Sequence, residues 1–199
     1  SGSTAASWNV VMDLTGAPTF CVDFGSPHFD SEVLWRRLVE WRGRGFPMGC
    51  ATDPQPDLRE VGLCGSHAYS ITDVATVVDA AGAATRLLRI RNPHGVGEWT
   101  GDWSDSSAKW ADVVSSSRGN ERTGVNDGTF WIDFTHFLMG FSRVDVCVAA
   151  EKPRAASFRN AFPAKKEPWR VARKIYDVVF EGDTDLFVTA LQPTQRGTF

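Results

Sequence analysis

His67-Ala68-Tyr69-Ser70-Ile71-Thr72-Asp73-Val74-Ala75-Thr76-Val77-Val78, followed by Arg86-Leu87-Leu88-Arg89-Ile90-Arg91, decides how this chain reads. The first run is rich in Val, Ile, Thr and Tyr, which favour a pleated, half-buried surface. The second run half-alternates and stops before Pro93. Ala80 to Thr85, with Gly82, supplies the turn between them. Two such runs around a turn predict an antiparallel hairpin. In a hairpin the start of one strand lies beside the end of the next. Here those positions are His67 and Asn92.

Working outward, Thr129 to Asp133 reads as a strand, Phe134 to Phe141 as a short helix and Arg143 to Ala149 as another strand. Upstream, Asp30 or Ser31 can cap a helix in which Val33, Leu34, Leu38 and Trp41 recur at spacings of three and four. Gly43 and Gly45 end it. Phe46 to Ala51 predicts a short buried strand, and Asp53 to Glu60, with two prolines, a loop. Asp13 to Pro18 reads as a turn after an extended apolar start. Asn92 to Asn126 is polar, Gly- and Ser-rich and punctuated by Trp; a loop of that length in a compact domain is usually functional. The expected fold class is therefore α+β, mainly antiparallel sheet with few helices.

Glu151 to Pro168, broken by Pro153, Pro163 and Pro168, reads as a linker. Val171 to Phe180 and Leu186 to Leu191 then predict two strands, too few for an independent β-domain. The expected organisation is a domain over 1–150, a linker over 151–168 and the first strands of a truncated module over 169–199.

Several function classes are disfavoured by composition. The net charge is −3, and no Lys/Arg block interleaved with aromatics suggests nucleic acid. No apolar run approaches the ~20 residues of a membrane span, and no signal pattern opens the chain. Cys21, Cys50, Cys64 and Cys147 are widely spaced, with no Cys-x-x-Cys pair to suggest zinc. Free thiols fit a reducing compartment, so an intracellular, cytoplasmic setting is expected. The eight Trp residues, among them Trp99, Trp103 and Trp110, read as core and loop anchors. His28, His94 and His136 read as surface or packing residues.

A His and an Asn brought together have a definite chemistry. The Asn carbonyl oxygen accepts one imidazole N–H and fixes the tautomer and ring direction. The other nitrogen can then take a proton from a thiol. Taken alone, His67 reads first as a hydrogen-bonded structural residue and Asn92 as a turn former before Pro93.

Further motifs follow in order: Leu14-Thr15-Gly16, Met48-Gly49-Cys50, His67-Ala68-Tyr69-Ser70, Arg89-Ile90-Arg91-Asn92-Pro93, Glu98-Trp99-Thr100-Gly101, Trp103-Ser104-Asp105, Asp127-Gly128, Phe130-Trp131 and Ser142-Arg143. From about Asn9 to Cys147 the chain resembles the second subdomain of the calpain protease core, the barrel-like half of a papain-like fold. The residues after the linker would then begin the β-sandwich that follows. The resemblance implies a cysteine endopeptidase that performs limited proteolysis of proteins, with His67 as general base and Asn92 as its orienting partner. It places the nucleophilic Cys in an upstream subdomain, and no counterpart of that Cys motif occurs here. This chain would carry half an active site and be inactive alone. The resemblance also implies a weak calcium site at Glu98, Asp105 and Asp127, with the Val125 carbonyl as a further donor. Those carboxylates taken alone read as a solvated loop face.

Three positions depart from the family pattern. His94 stands where calpains usually have Trp, Ser66 where they have Gly, and Thr129 where many have a carboxylate. Two other readings stand beside the enzyme: a non-catalytic calpain-like scaffold or partner-binding module, and an autonomous calcium-binding domain.

Overall fold

A computed structural model of the chain describes residues 15–54, 56–117 and 124–149. The chain divides after Ala150 into two units, and the described residues belong to the first. The linker expected over 151–168 and the strands expected over 169–199 lie outside the described residues, as does the apolar start.

The hairpin is present. Strand β3 (Ala68–Asp79) pairs antiparallel with β4 (Ala84–Arg91), with Ser70 opposite Arg91 and Val78 opposite Ala84. Around it lie β1 (Thr19–Asp23), β2 (Met48–Ala51), β5 (Val113–Ser116), β6 (Thr129–Asp133) and β7 (Arg143–Cys147). All pair antiparallel in one seven-stranded open sheet ordered β1-β7-β2-β3-β4-β6. β5 adds to the end of β3, with Val77 opposite Ser116. The fold is α+β and mainly antiparallel.

Helix α1 (Ser31–Gly43) starts where a side chain can satisfy its first N–H groups. Asp30 Oδ1 accepts from the backbone of Glu32 at 2.8 Å and Val33 at 3.1 Å. Leu34, Trp35, Leu38 and Trp41 are buried, whereas Val33 is 41% exposed. The expected stripe thus holds at Leu34, Leu38 and Trp41 and fails at Val33. Trp35, not Val33, completes the inward face, with its ring 5.2 Å from that of Phe134. The second helix, α2 (Phe134–Gly140), is capped by Asp133, whose Oδ1 accepts from Thr135 and His136.

Three short elements differ from expectation. β1 falls in a stretch with no clear alternation. Pro56–Val61 is a 3₁₀ helix rather than loop and carries Leu58 into the core. The excursion after Asn92 contains a 3₁₀ helix, Ala108–Asp112, and then β5. Four residues of Val-Val-Ser-Ser carry too little pattern to read as a strand; the open edge of β3 supplies the order.

The sheet packs on both faces. One core holds Leu38, Tyr69, Ile71, Val74, Leu88, Ile90, Phe130, Ile132 and Phe137, together with the inward face of α1. The other holds Ala75, Val77, Leu87, Trp103, Trp110 and Trp131. β3, like β4 and β6, serves both by alternation, and its register shifts between Ile71 and Asp73, leaving Thr72 as an extra residue. Asp73 pins the shift: its Oδ1 accepts from Val74 N at 2.9 Å and from Arg42 Nε at 3.1 Å.

Candidate active site

Because β3 and β4 are neighbours, the residue before β3 and the residue after β4 meet at one end of the hairpin. His67 Nε2 lies 2.9 Å from Asn92 Oδ1. Asn92 is fully buried, and its surroundings dictate its orientation. Its Nδ2 donates to the carbonyls of Val96 at 2.8 Å and Gly97 at 3.2 Å. The amide oxygen must therefore face His67. A carboxamide oxygen only accepts, so Nε2 carries the proton and Nδ1 of a neutral ring is left as the acceptor. Oδ1 also accepts from the backbone N–H of His94 at 3.0 Å. The Asn92 main chain is held as well: its N–H donates to Gly128 O at 2.7 Å, and its carbonyl accepts from Gly95 N at 3.0 Å.

Gly128 is needed there. Its φ is +82°, and an added Cβ would lie 2.9 Å from Asn92 O and 3.0 Å from Val96 N. Backbone cannot give way as a side-chain end can.

Two rings bound the His67 imidazole. Tyr69, buried, meets it edge-on with centroids 4.8 Å apart. His94, exposed, lies 4.3 Å away at an interplanar angle of 35°. His94 thus supplies a small polar cover where the family resemblance puts an indole.

The turn before His67 is unusual for a non-glycine residue, since Ser66 has φ +52°. It is tied to the end of β2. Thr52 N donates to His67 O at 3.0 Å, His67 N donates to Thr52 Oγ1 at 3.1 Å, and Ser66 N donates to Asp53 O at 3.2 Å. Thr52 Oγ1 donates to Cys64 O at 2.6 Å. The sequence gives no sign of this, because Thr52 simply follows a short apolar strand and belongs to no motif.

The four cysteines are free. Burial, with the Asp145 carboxylate behind it, pushes the Cys50 thiol well above its ordinary range. Partial burial and the same carboxylate push Cys21 up to about 12. Both are held as neutral thiols, unsuited to attack. Cys147 is buried, and Cys64 donates its backbone N–H to the Tyr69 hydroxyl at 2.8 Å.

The three carboxylates singled out in the sequence are drawn to one short segment. Glu98 Oε1 accepts from Gly128 N at 2.8 Å, Asp105 Oδ2 from Gly124 N at 3.1 Å and Asp127 Oδ1 from Thr129 N at 2.8 Å. Hard oxygen donors around loops suit calcium. In this arrangement, though, each turns an oxygen to a backbone N–H. Among the described residues no three His, Cys, Asp or Glu side chains gather as a group that could hold a metal. Arg91 Nη1 also donates to Thr129 Oγ1 at 3.1 Å, bringing positive charge to the position that lacks a carboxylate. The donor chemistry fits calcium; a formed cage is not present. Trp99 and Trp110 act as expected of loop anchors, their Nε1–H groups donating to Asp102 O at 2.7 Å and Ser104 O at 2.9 Å.

Residues 2–148 match the model of the calpain family of cysteine proteases. This chain belongs to that family. It is 36% identical over 145 residues to calpain clp-1 of Caenorhabditis elegans, covering 68% of this chain and 18% of that protein. It is 39% identical over 151 residues to the chicken (Gallus gallus) calpain-1 catalytic subunit and 34% identical to the human one. In both cases the match covers 73% of this chain and 20% of the relative. The calpain chain described here thus spans about a fifth of the length of these relatives. Among the described residues no helix is long and apolar enough to cross a membrane.

Proposed function

We propose that this chain supplies the His/Asn half of a calpain-type cysteine endopeptidase site. The observation that carries this reading is the 2.9 Å contact between His67 Nε2 and an Asn92 amide whose orientation its other bonds dictate. His67 is then the general base and Asn92 its orienting partner. A thiol from an upstream subdomain gives its proton to Nδ1. The resulting thiolate attacks a peptide carbonyl, and His67 passes the proton to the leaving amine. Water then hydrolyses the thioester, with His67 again taking a proton. Substrates are proteins cut at limited sites, and the four free thiols suit an intracellular, reducing compartment.

The test joins this chain to a nucleophile-bearing calpain subdomain. His67→Ala lowers turnover of a peptide reporter by about 10³-fold or more, since activation and leaving-group protonation both depend on it. The unjoined chain cleaves neither casein nor the reporter. Turnover unchanged in His67→Ala removes the general-base role. If the joined wild-type protein is inactive but a protein partner is captured by the His67 face, the scaffold reading takes its place.

Weak calcium binding at Glu98, Asp105 and Asp127 belongs to the same reading. Hard carboxylates attached to one segment, residues 124–129, support it. Ca²⁺ would exchange their N–H bonds for ion contacts and draw that segment into one arrangement. Calorimetry of the chain alone, with Trp fluorescence, tests it without reference to activity.

A further inference from the structure

We propose that Thr52 is a positioning residue for His67, its hydroxyl holding the turn that delivers the imidazole to Asn92. The inference rests on the reading of His67 as general base and adds a residue from outside the His and Asn motifs. Thr52 is almost wholly buried, one residue beyond β2. A single hydroxyl serves both sides of the turn. It donates to Cys64 O at 2.6 Å, before Ser66, and accepts from His67 N at 3.1 Å, after it. A longer approach to His67 O, 3.3 Å, is secondary, because the hydroxyl has one proton and the shorter contact takes it.

The turn needs such a hold. A non-glycine residue at φ +52° persists only where its surroundings over-determine it. The β2–β3 ladder does not supply that, since its last pair is Ala51 with Ala68. Residues 64–67 lie beyond the ladder. Thr52 Oγ1, the Thr52 and Asp53 main chain and the Tyr69 hydroxyl restrain them. Of these, only the Thr52 hydroxyl bonds the His67 N–H. Without it, a partly buried carbonyl and a partly buried N–H lose their partner together, and the least costly relief is movement of the turn. His67 moves with the turn. Asn92 does not, because its amide is held separately by Val96 and Gly97.

Thr52→Val keeps shape and removes the hydroxyl; Thr52→Ser keeps the hydroxyl and trims a methyl group. In the histidine-labelled 199-residue chain, the Nε2–H signal of His67 reports the bond to Asn92 directly. It should be sharp in wild type and Thr52→Ser, and broadened by solvent exchange in Thr52→Val. The Asn92 amide signals should stay in place in all three. Joined to a nucleophile-bearing subdomain, Thr52→Val should lose about 10- to 100-fold in kcat, as expected for a displaced catalytic group, with KM within about twofold. Thr52→Ser should restore kcat.

A sharp Nε2–H signal with wild-type kcat in Thr52→Val would overturn the proposal. So would equal defects in Thr52→Val and Thr52→Ser. Should Thr52→Val fail to fold, Thr52→Ala removes the same hydroxyl without bulk. Spectra collapsed throughout the chain in both would assign Thr52 to the fold and not to His67. If instead His67→Ala leaves turnover intact, the general-base reading fails, while the Nε2–H signal still decides what Thr52 does.

Discussion

The His67–Asn92 corner and the Glu98–Asp105–Asp127 segment both bring distant residues together, but by different means. At the corner, strand register does the work. Once Ser70 is opposite Arg91, the residues beyond the strand ends must face one another. The carboxylates have no ladder beneath them. Glu98 and Asp105 reach residues 124–129 from a long excursion and Asp127 lies within them, each turning an oxygen to a backbone N–H. Strand register therefore fixes the corner by itself, whereas the carboxylates take their arrangement from the loop segment they bond.

The largest loss of stability is expected at Asn92. Asn92→Ala removes the oxygen that faces His67 and leaves the Val96 and Gly97 carbonyls without their donor. Thermal or urea unfolding should show a loss of about 3 kcal/mol, and kcat of the joined protein should fall by about 10²-fold. Asp105→Ala, at a partly exposed loop carboxylate, should cost only about 0.5 kcal/mol. Equal losses for the two would abolish the contrast between corner and loop.

Gly128→Ala comes next, because a methyl group there meets Asn92 O and Val96 N at a φ reserved for glycine. A destabilisation of about 2 kcal/mol is expected, together with weakening of the His67 Nε2–H signal. A neutral substitution would mean that the corner tolerates slack.

Ser66→Gly should act in the opposite direction, relieving the strain at φ +52°. The glycine loses more backbone freedom on folding, so the net gain should be no more than about 1 kcal/mol. A higher melting temperature with unchanged kcat would show that strain before His67 is tolerated rather than used.

The smallest effect concerns the loop alone. Calcium titration should give heat and a Trp fluorescence change only in the ~10⁻⁵ to 10⁻³ M range, lost in Asp105→Ala. Thr129→Glu, restoring a carboxylate beside Arg91, should tighten binding. Silence at millimolar calcium in both wild type and Thr129→Glu would leave the three carboxylates as struts for residues 124–129.

Legibility in the sequence followed the same division. The hairpin, β6, α2 and β7 are plain because each carries its own pattern, and the meeting of His67 with Asn92 follows from the hairpin. α1 is legible, but its stripe is centred by tertiary contact: Trp35 packs on Phe134 while Val33 faces outward. β5 is not legible, because its order comes from the free edge of β3 and not from its own residues. Thr52 is invisible for a related reason. Its partners are main-chain groups twelve and fifteen residues away, and any residue type can supply those. The carboxylates are legible as a set of oxygens but not as a geometry, since nothing in their spacing fixes which way each one turns.

The register shift at Thr72 makes β3 a splice of two strands with opposite phase. Before it, odd-numbered residues face the core beneath His67; after it, even-numbered residues do, and odd-numbered ones face the tryptophans. β4 runs without a gap opposite this shift, so removing Thr72 alone would leave Ile71 and Asp73 opposite Ile90 and Arg89 and every other residue of β3 on its present face. Loss of a neighbour such as Val74 would instead pull Thr72 into the ladder and turn Asp73 toward the core, so Thr72 is the residue of this stretch that the sheet can best do without. A single inserted residue, held by Asp73 and Arg42, is thus an addition the two cores accommodate and not the link that joins them.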